Sequence, residues 1–508
     1  MSVRLRRGRL VGVVVLCAPL FAACGSQVPP CAVGRVEGWS SCGSSASQVG
    51  NNSTLGGNGG IGGVNGGGSS LAAGGAGGTG GAGSNGGTSG GTGGGGTGGG
   101  GGTSGGTGGG STGGGSGGGT LGLAGVRAAS CAGFKNGPGI TNSTITIANA
   151  SDLSGAVNGL FQSAQKAVMA YVAYFNSTSS ICGRKLQVEP LDSGESEPGD
   201  QQAATTACGN AFAMVGSMGA FDGGGASTVT GCGIPDLRAA TTETARYKSP
   251  VTFGTYSLAV PEVPTVPFEY FKQIGGNAYK NAAFVYLDAG AASLNAQSFM
   301  AAEKQMGYDF KDQIAIAVDG IPDYNGYALR MKNDGIQYVQ YIGAYQYAQK
   351  LRSAMAQQGY NPIWVMDPTG YDPGYVATGS AVNNTYVFIS GPLFEEASRN
   401  PQLQLYTTWL QRTAGGAPTF FGTYAWAAAA LFTQLAIGLG GQLSRSTLLA
   451  AIRNVHNYTD GGMVPPQDVG GKHTPKCFSV IQLQNGNWVR KTPYPYTCGS
   501  TINSGIGD

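Results

Sequence analysis

The sequence predicts an α/β protein of two lobes, each a doubly wound, mainly parallel sheet flanked by helices. Two observations carry this. Strand-length apolar runs alternate with segments of helical periodicity from Cys131 onward, the pattern of strands joined by crossover helices. The stretch so patterned is about 378 residues long, more than a single core usually organises.

The residues before it lie outside that fold. Arg4, Arg6, Arg7 and Arg9, an apolar run over 10–20 and Phe21-Ala-Ala-Cys24 read as a secretory signal peptide over 1–23, too short for a membrane span. The cysteine at the cleavage site resembles a bacterial lipobox, which implies a lipid on Cys24 and an anchored segment over 24–54. Loss of the four arginines turns the formal net charge of +3 into about −1. With 11% charged residues, such a chain has no electrostatic footprint for nucleic acid. No other apolar run reads as long enough to cross a membrane. Residues 55–120 are almost wholly Gly, Ser, Thr, Ala and Asn, and cannot bury enough apolar surface to offset chain entropy. They predict a soft tether with a root-mean-square span of roughly 45 Å.

From Cys131 the elements follow in order. Residues 143–148 alternate at period two and a polar turn, Ser151-Asp-Leu-Ser-Gly155, follows. Phe161, Gln165, Val168, Tyr171, Val172 and Phe175 recur at helical spacing. Residues 185–188 predict a second strand and 201–208 a helix. Residues 212–227 then run from an apolar strand through glycines into a helix start. Backbone N–H groups at such a turn favour anionic or polar ligand groups. Further strands are expected over 282–287, 314–318, 338–342, 364–366 and 386–389, with helices over 296–306, 345–358 and 424–439. Besides Cys17 and Cys24, eight cysteines remain in an exported chain: Cys31, Cys42, Cys131, Cys182, Cys208, Cys232, Cys477 and Cys498. Pairing of neighbours in chain order is the simplest arrangement, and no C-x-x-C suggests a metal or redox site.

Thr144-Ile-Thr-Ile, Asp152-Leu-Ser-Gly155, Cys182-Gly-Arg-Lys-Leu186, Met214-Val-Gly-Ser217, Gly233-Ile-Pro235, Pro322-Asp-Tyr324, Tyr338-Val-Gln-Tyr341 and Tyr424-Ala-Trp-Ala-Ala428 follow one another in a collinear order. In that order the chain resembles the type I periplasmic binding proteins, in particular the branched-chain amino acid receptors of ABC importers. The resemblance implies a type I periplasmic-binding-protein fold with three crossings, near 252–260, 389–392 and 463–471. Lobe 1 would hold 131–255 and 391–463, and lobe 2 would hold 256–390 and 470–508. It implies a small-molecule ligand closed between the lobes, delivered to an ABC permease by a receptor on the extracytoplasmic face of the cell membrane, with no cofactor.

The resemblance also implies where a ligand is gripped. A ligand carboxylate falls to Ser154 and Gly155 after the first strand, to Ser217, Gly219, Ala220, Phe221 and Asp222 in the glycine turn, and to Ala240, Thr241 and Thr242. Ser217 and Thr242 have a competing reading as helix caps. Tyr345 matches a ligand-facing tyrosine, for which a packed surface ring is the alternative. The family's amine-binding acid aligns with Thr369 in Asp367-Pro-Thr-Gly370, leaving Asp367, Asp372 or Asp222 to supply the charge, and its second tyrosine aligns with Ala292. An amide or an aromatic or organic acid therefore stands beside an amino acid as ligand. Phe161, Phe221, Tyr371 and Tyr375 are candidate walls, although helical spacing favours Phe161 as a core residue.

Competing classes find less support. The only two histidines, His456 and His473, lie in no nucleophile–base motif, which argues against an exported hydrolase, and no catalytic or metal residue is proposed. Gly216, Gly219 and Gly223 are misspaced for a dinucleotide fingerprint. A sensing module of the same fold is the remaining alternative.

Overall fold

A computed structural model of the protein describes residues 126–507. The signal peptide, Cys24, Cys31, Cys42 and the tether lie outside the described residues.

The first lobe contains β1 (Thr144–Ser151), α1 (Gln162–Thr178), β2 (Lys185–Asp192), α2 (Glu197–Asn210), β3 (Ala213–Val215), α3 (Ala226–Cys232), β4 (Asp236–Ala240), α4 (Thr244–Lys248) and β5 (Thr252–Tyr256). The five strands are parallel, in the order β2-β1-β3-β4-β5. The second lobe opens with β6 (Glu262–Pro264) and α5 (Val266–Gly275). There follow β7 (Ala282–Leu287), α6 (Gly290–Gln305), β8 (Phe310–Ile316), α7 (Tyr324–Asn333), β9 (Tyr338–Ile342), α8 (Tyr345–Gln357), β10 (Ile363–Met366), α9 (Pro373–Val376) and β11 (Tyr386–Ile389). Its parallel strands repeat the first order as β8-β7-β9-β10-β11.

The chain then supplies α10 (Pro401–Thr413), α11 (Phe420–Leu439) and α12 (Arg445–Ile452), of which α10 and α11 pack on α1 and α11 also on β4. It returns as β12 (Cys477–Gln484) and β13 (Asn487–Arg490), antiparallel beyond β11. Two short strands end it: β14 (Thr497–Cys498) pairs with β12, and β15 (Thr501–Asn503) with β6.

Several elements differ from the sequence expectation. Asp236-Leu-Arg-Ala-Ala240 shows no apolar run, yet it is the fully buried strand β4. Its charges are tolerated because Asp236 and Arg238, two residues apart on one face, pair with buried partners. Residues 252–256, read as part of a crossing, form β5, so the crossing starts after Tyr256. Residues 420–442 are also long and apolar enough, at mean hydropathy 1.3, to pass for a membrane span, although 78% of the window is buried inside the fold. That helix is the core of the first lobe. Its alanine run lets β3 and β4 approach closely: at Gly216 (φ +66) an added Cβ would fall 2.4 Å from Val168 and 3.0 Å from the Ala425 carbonyl.

Disulfides join Cys131 to Cys182, Cys208 to Cys232 and Cys477 to Cys498, the chain-order pairing at these six cysteines.

One buried acid makes stability depend on pH. Asp460 is 1% exposed in a left-handed backbone conformation (φ +45), and burial pushes its carboxyl from 3.8 up to about 7. Because the folded value lies above the unfolded one, its contribution to stability is full below pH 3.8 and is lost as pH rises through about 7. Asparagine tolerates the same backbone without ionising. We expect Asp460→Asn to flatten the decline in melting temperature between about pH 5 and about pH 8, measured by thermal unfolding across that range.

Candidate functional site

The glycine turn after β3 is organised by the protein's own carboxylates. Ala220 N–H donates to Asp152 Oδ2 at 2.7 Å, Gly223 N–H to Glu243 Oε2 at 2.9 Å and Gly225 N–H to Asp200 Oδ2 at 2.8 Å. Asp222 in turn accepts from Thr242 and Glu243 N–H, both at 3.0 Å. Asp222 also lies 3.3 Å from Arg238 Nε, both side chains fully out of solvent. Arg246 Nε reaches Asp236 at 3.1 Å, and its Nη2 lies 3.7 Å from Asp200. Burial raises the Asp222 carboxyl to about 6, against the pull of Arg238 and Arg246. Glu243 is pushed up to about 7 by burial and then by Asp222. The row of N–H groups that the sequence offered to a ligand anion is thus largely occupied.

A cavity of about 340 Å³ lies where this turn faces the second lobe. Leu160, Phe161, Met218 and Phe221 wall it from the first lobe, and Leu287, Phe299, Val318 and Ile342 from the second. Tyr256, Leu258 and Phe421 also line it, and no lysine, arginine or histidine among the described residues does. Its polar lining is mostly committed internally. The Thr242 hydroxyl donates to Gly219 O at 2.7 Å and the Thr369 hydroxyl to Gly343 O at 2.5 Å. Asp367 accepts from Gly343 N–H at 3.1 Å and Thr369 N–H at 3.0 Å; burial raises its carboxyl to about 6, those bonds opposing. Glu195, at φ +47, accepts from Val157 N–H at 2.8 Å, and burial raises its carboxyl too.

Of the residues picked from sequence, Ala220, Phe221, Thr242 and Asp367 line this cavity, as do Phe161, Ala292 and Thr369. The others do not. The Ser154 hydroxyl donates to Asp192 at 2.6 Å, and Gly155 (φ +130) packs against Glu195. Ser217 is buried and accepts from Ala150 N–H at 3.1 Å. Asp222 is held in the charge cluster, Ala240 ends β4, and the Thr241 hydroxyl donates to Leu258 O. Gly219 supplies only its carbonyl, to Thr242. Tyr345 borders a smaller side pocket with Tyr371 and Asp372, while the fully buried Tyr375 bonds to Thr385. Sequence reasoning missed Tyr256, Leu258 and Phe421. The signal for the first two was their place in the first predicted crossing.

Beside the cavity, Ala291 N–H donates to Ala220 O at 2.8 Å and Asn295 Nδ2 to Thr242 O at 3.4 Å, both from the second lobe to the first. The approach depends on Gly290 (φ +47), where a Cβ would lie 2.5 Å from Ala220 O and 3.0 Å from the Phe221 ring.

A family model described as periplasmic binding protein matches residues 144–487. The chain belongs to the periplasmic binding proteins. Solved structures share the type I fold of that family. A fatty acid ABC transporter substrate-binding protein from Thermomonospora curvata aligns with TM-score 0.60 at 18% identity, over 74% of this chain and 98% of that one. A branched-chain amino acid transporter substrate-binding protein from Streptococcus pneumoniae, in complex with isoleucine, gives 0.58 at 16% over 69% and 100%. An ABC transporter solute-binding protein from R. palustris, in complex with 4-hydroxybenzoate, gives 0.58 at 16% over 71% and 97%. No curated protein matches the sequence.

Closure of this binding protein should fail when Gly290 gains a branched side chain. We expect Gly290→Val to hold the lobes apart, seen as a larger radius of gyration in small-angle scattering and a binding loss of about tenfold or more.

Proposed function

We propose that this chain is a lipid-anchored receptor on the extracytoplasmic face of the membrane, which closes on a small organic molecule and presents it to an ABC permease. The observation that carries the reading is the cavity walled by both lobes, with hydrogen bonds crossing between them beside it. A ligand touching both walls stabilises only the closed arrangement, so binding shifts the population toward it. Lobe 1 is read as 131–255 with 391–463, and lobe 2 as 256–390 with 470–508. No catalytic role is assigned to any residue.

The ligand class is narrowed by the walls. The relatives named above are described with fatty acid, isoleucine and 4-hydroxybenzoate, molecules that share an apolar body. A cavity lined by leucine, isoleucine and phenylalanine suits such a body. The lining is less polar than a free amino acid requires, since Thr369 stands where the family resemblance places the amine-binding acid.

The receptor reading is tested by native mass spectrometry of full-length protein purified without refolding. We expect one bound small molecule per chain, which on addition back to stripped protein raises the melting temperature. Stripped protein indifferent to every recovered compound would refute the reading. We also expect Cys24→Ser to move the protein from the membrane to the soluble fraction on cell fractionation, whereas persistence on the membrane would refute the lipid anchor.

A further inference from the structure

Tyr256 closes β5 on the cavity wall and is 5% exposed. Its ring is fixed 5.2 Å from Phe420 and 4.9 Å from Tyr424. Buried tyrosine hydroxyls normally find a partner. Several other buried tyrosines here follow that rule, among them Tyr171 with Thr433, Tyr341 with Ala344 O, Tyr375 with Thr385 and Tyr424 with Ser390 O. Among the described residues the Tyr256 hydroxyl has no hydrogen-bond partner, and it is not among the polar atoms sealed inside the protein. It is therefore a donor left open on an otherwise apolar wall.

The surroundings disfavour an anion. Glu195 and Asp367 both line the cavity, and no basic side chain does. The N–H groups of Ala220, Thr242, Gly343 and Thr369 are held by Asp152, Asp222 and Asp367. The start of α8 reaches the cavity at Ala344, but the Asp367 carboxylate already sits on the neighbouring Gly343 N–H and offsets the positive end of that helix. A carboxylate placed here would lose its water and meet like charges in return. Burial, and then Asp367, push the Tyr256 phenol upward, so it remains a protonated donor.

We propose that the cavity selects an uncharged, largely apolar molecule whose polar oxygen, of an amide, ketone or alcohol, accepts from the Tyr256 hydroxyl. The proposal rests on the receptor reading above. It makes Tyr256 a ligand-binding residue and makes the absence of a carboxylate the mark of the ligand.

The test is calorimetric titration of ligand-stripped, full-length protein near neutral pH with two matched sets: benzamide, benzoate and benzylamine, and octanamide, octanoate and octylamine. The amide of at least one set should bind about tenfold or more tightly than its acid and its amine. Tyr256→Phe should weaken that amide by about fivefold to tenfold, the worth of one neutral hydrogen bond. The same substitution should leave the ligand-free melting temperature unchanged, because the hydroxyl has no partner to lose. An acid or amine that binds as well as its amide, an amide unaffected by Tyr256→Phe, or failure of both amides to bind overturns the proposal. A co-purified ligand bearing a carboxylate would also overturn it, while leaving the receptor reading standing.

Discussion

Two guanidinium groups, Arg238 and Arg246, are enclosed without solvent among Asp200, Asp222 and Asp236, and the geometry of the cleft depends on that cluster. Asp200 and Asp222 each do two jobs, facing an arginine and also receiving backbone N–H groups from a turn on the cleft side, while Asp236 faces both arginines and accepts from the Thr252 hydroxyl. Removing an arginine would leave buried acids uncompensated, which costs about 3–5 kcal/mol in comparable sites. More than stability would go, because the turns carrying Ala220, Phe221 and Thr242 hang from these acids. An apolar cavity in this lobe is thus shaped by charges that never touch its contents.

The fold was largely legible in the sequence because period and length are local signals. The strands over 282–287, 338–342 and 386–389 were read at their observed bounds, and the collinear order of small motifs pointed to two lobes. β4 was illegible for a physical reason: a buried strand with an aspartate and an arginine in five residues looks like a surface segment until partners remote in sequence are known. α11 misleads in the opposite direction, since a helix buried on nearly all sides has the composition of a membrane span.

The candidate site was legible only in part. The glycine turn was recognisable as a place where N–H groups converge, but not which acceptors occupy them. Asp152 lies before α1 and Glu243 before α4, and nothing local to residues 212–227 announces either. Ser217 illustrates the difficulty, for a serine in such a turn can face a ligand or brace the strand beside it, and here it braces Ala150. Tyr256 was hidden differently: its proposed role comes from lacking a partner, a property that no local sequence pattern displays.

The contact between the lobes has a consequence for how such a binding protein can change. Its shorter bond joins main-chain atoms, Ala291 N–H and Ala220 O, across a point where Gly290 leaves no room for a side chain. The geometry of shutting is therefore written in the backbone, whereas the taste of the cavity is written in the side chains around it. Leu287, Phe299 or Val318 can be exchanged without rewriting the latch. A lineage built this way can change what the cavity accepts while keeping its old mechanics, because recognition and movement are separable inheritances.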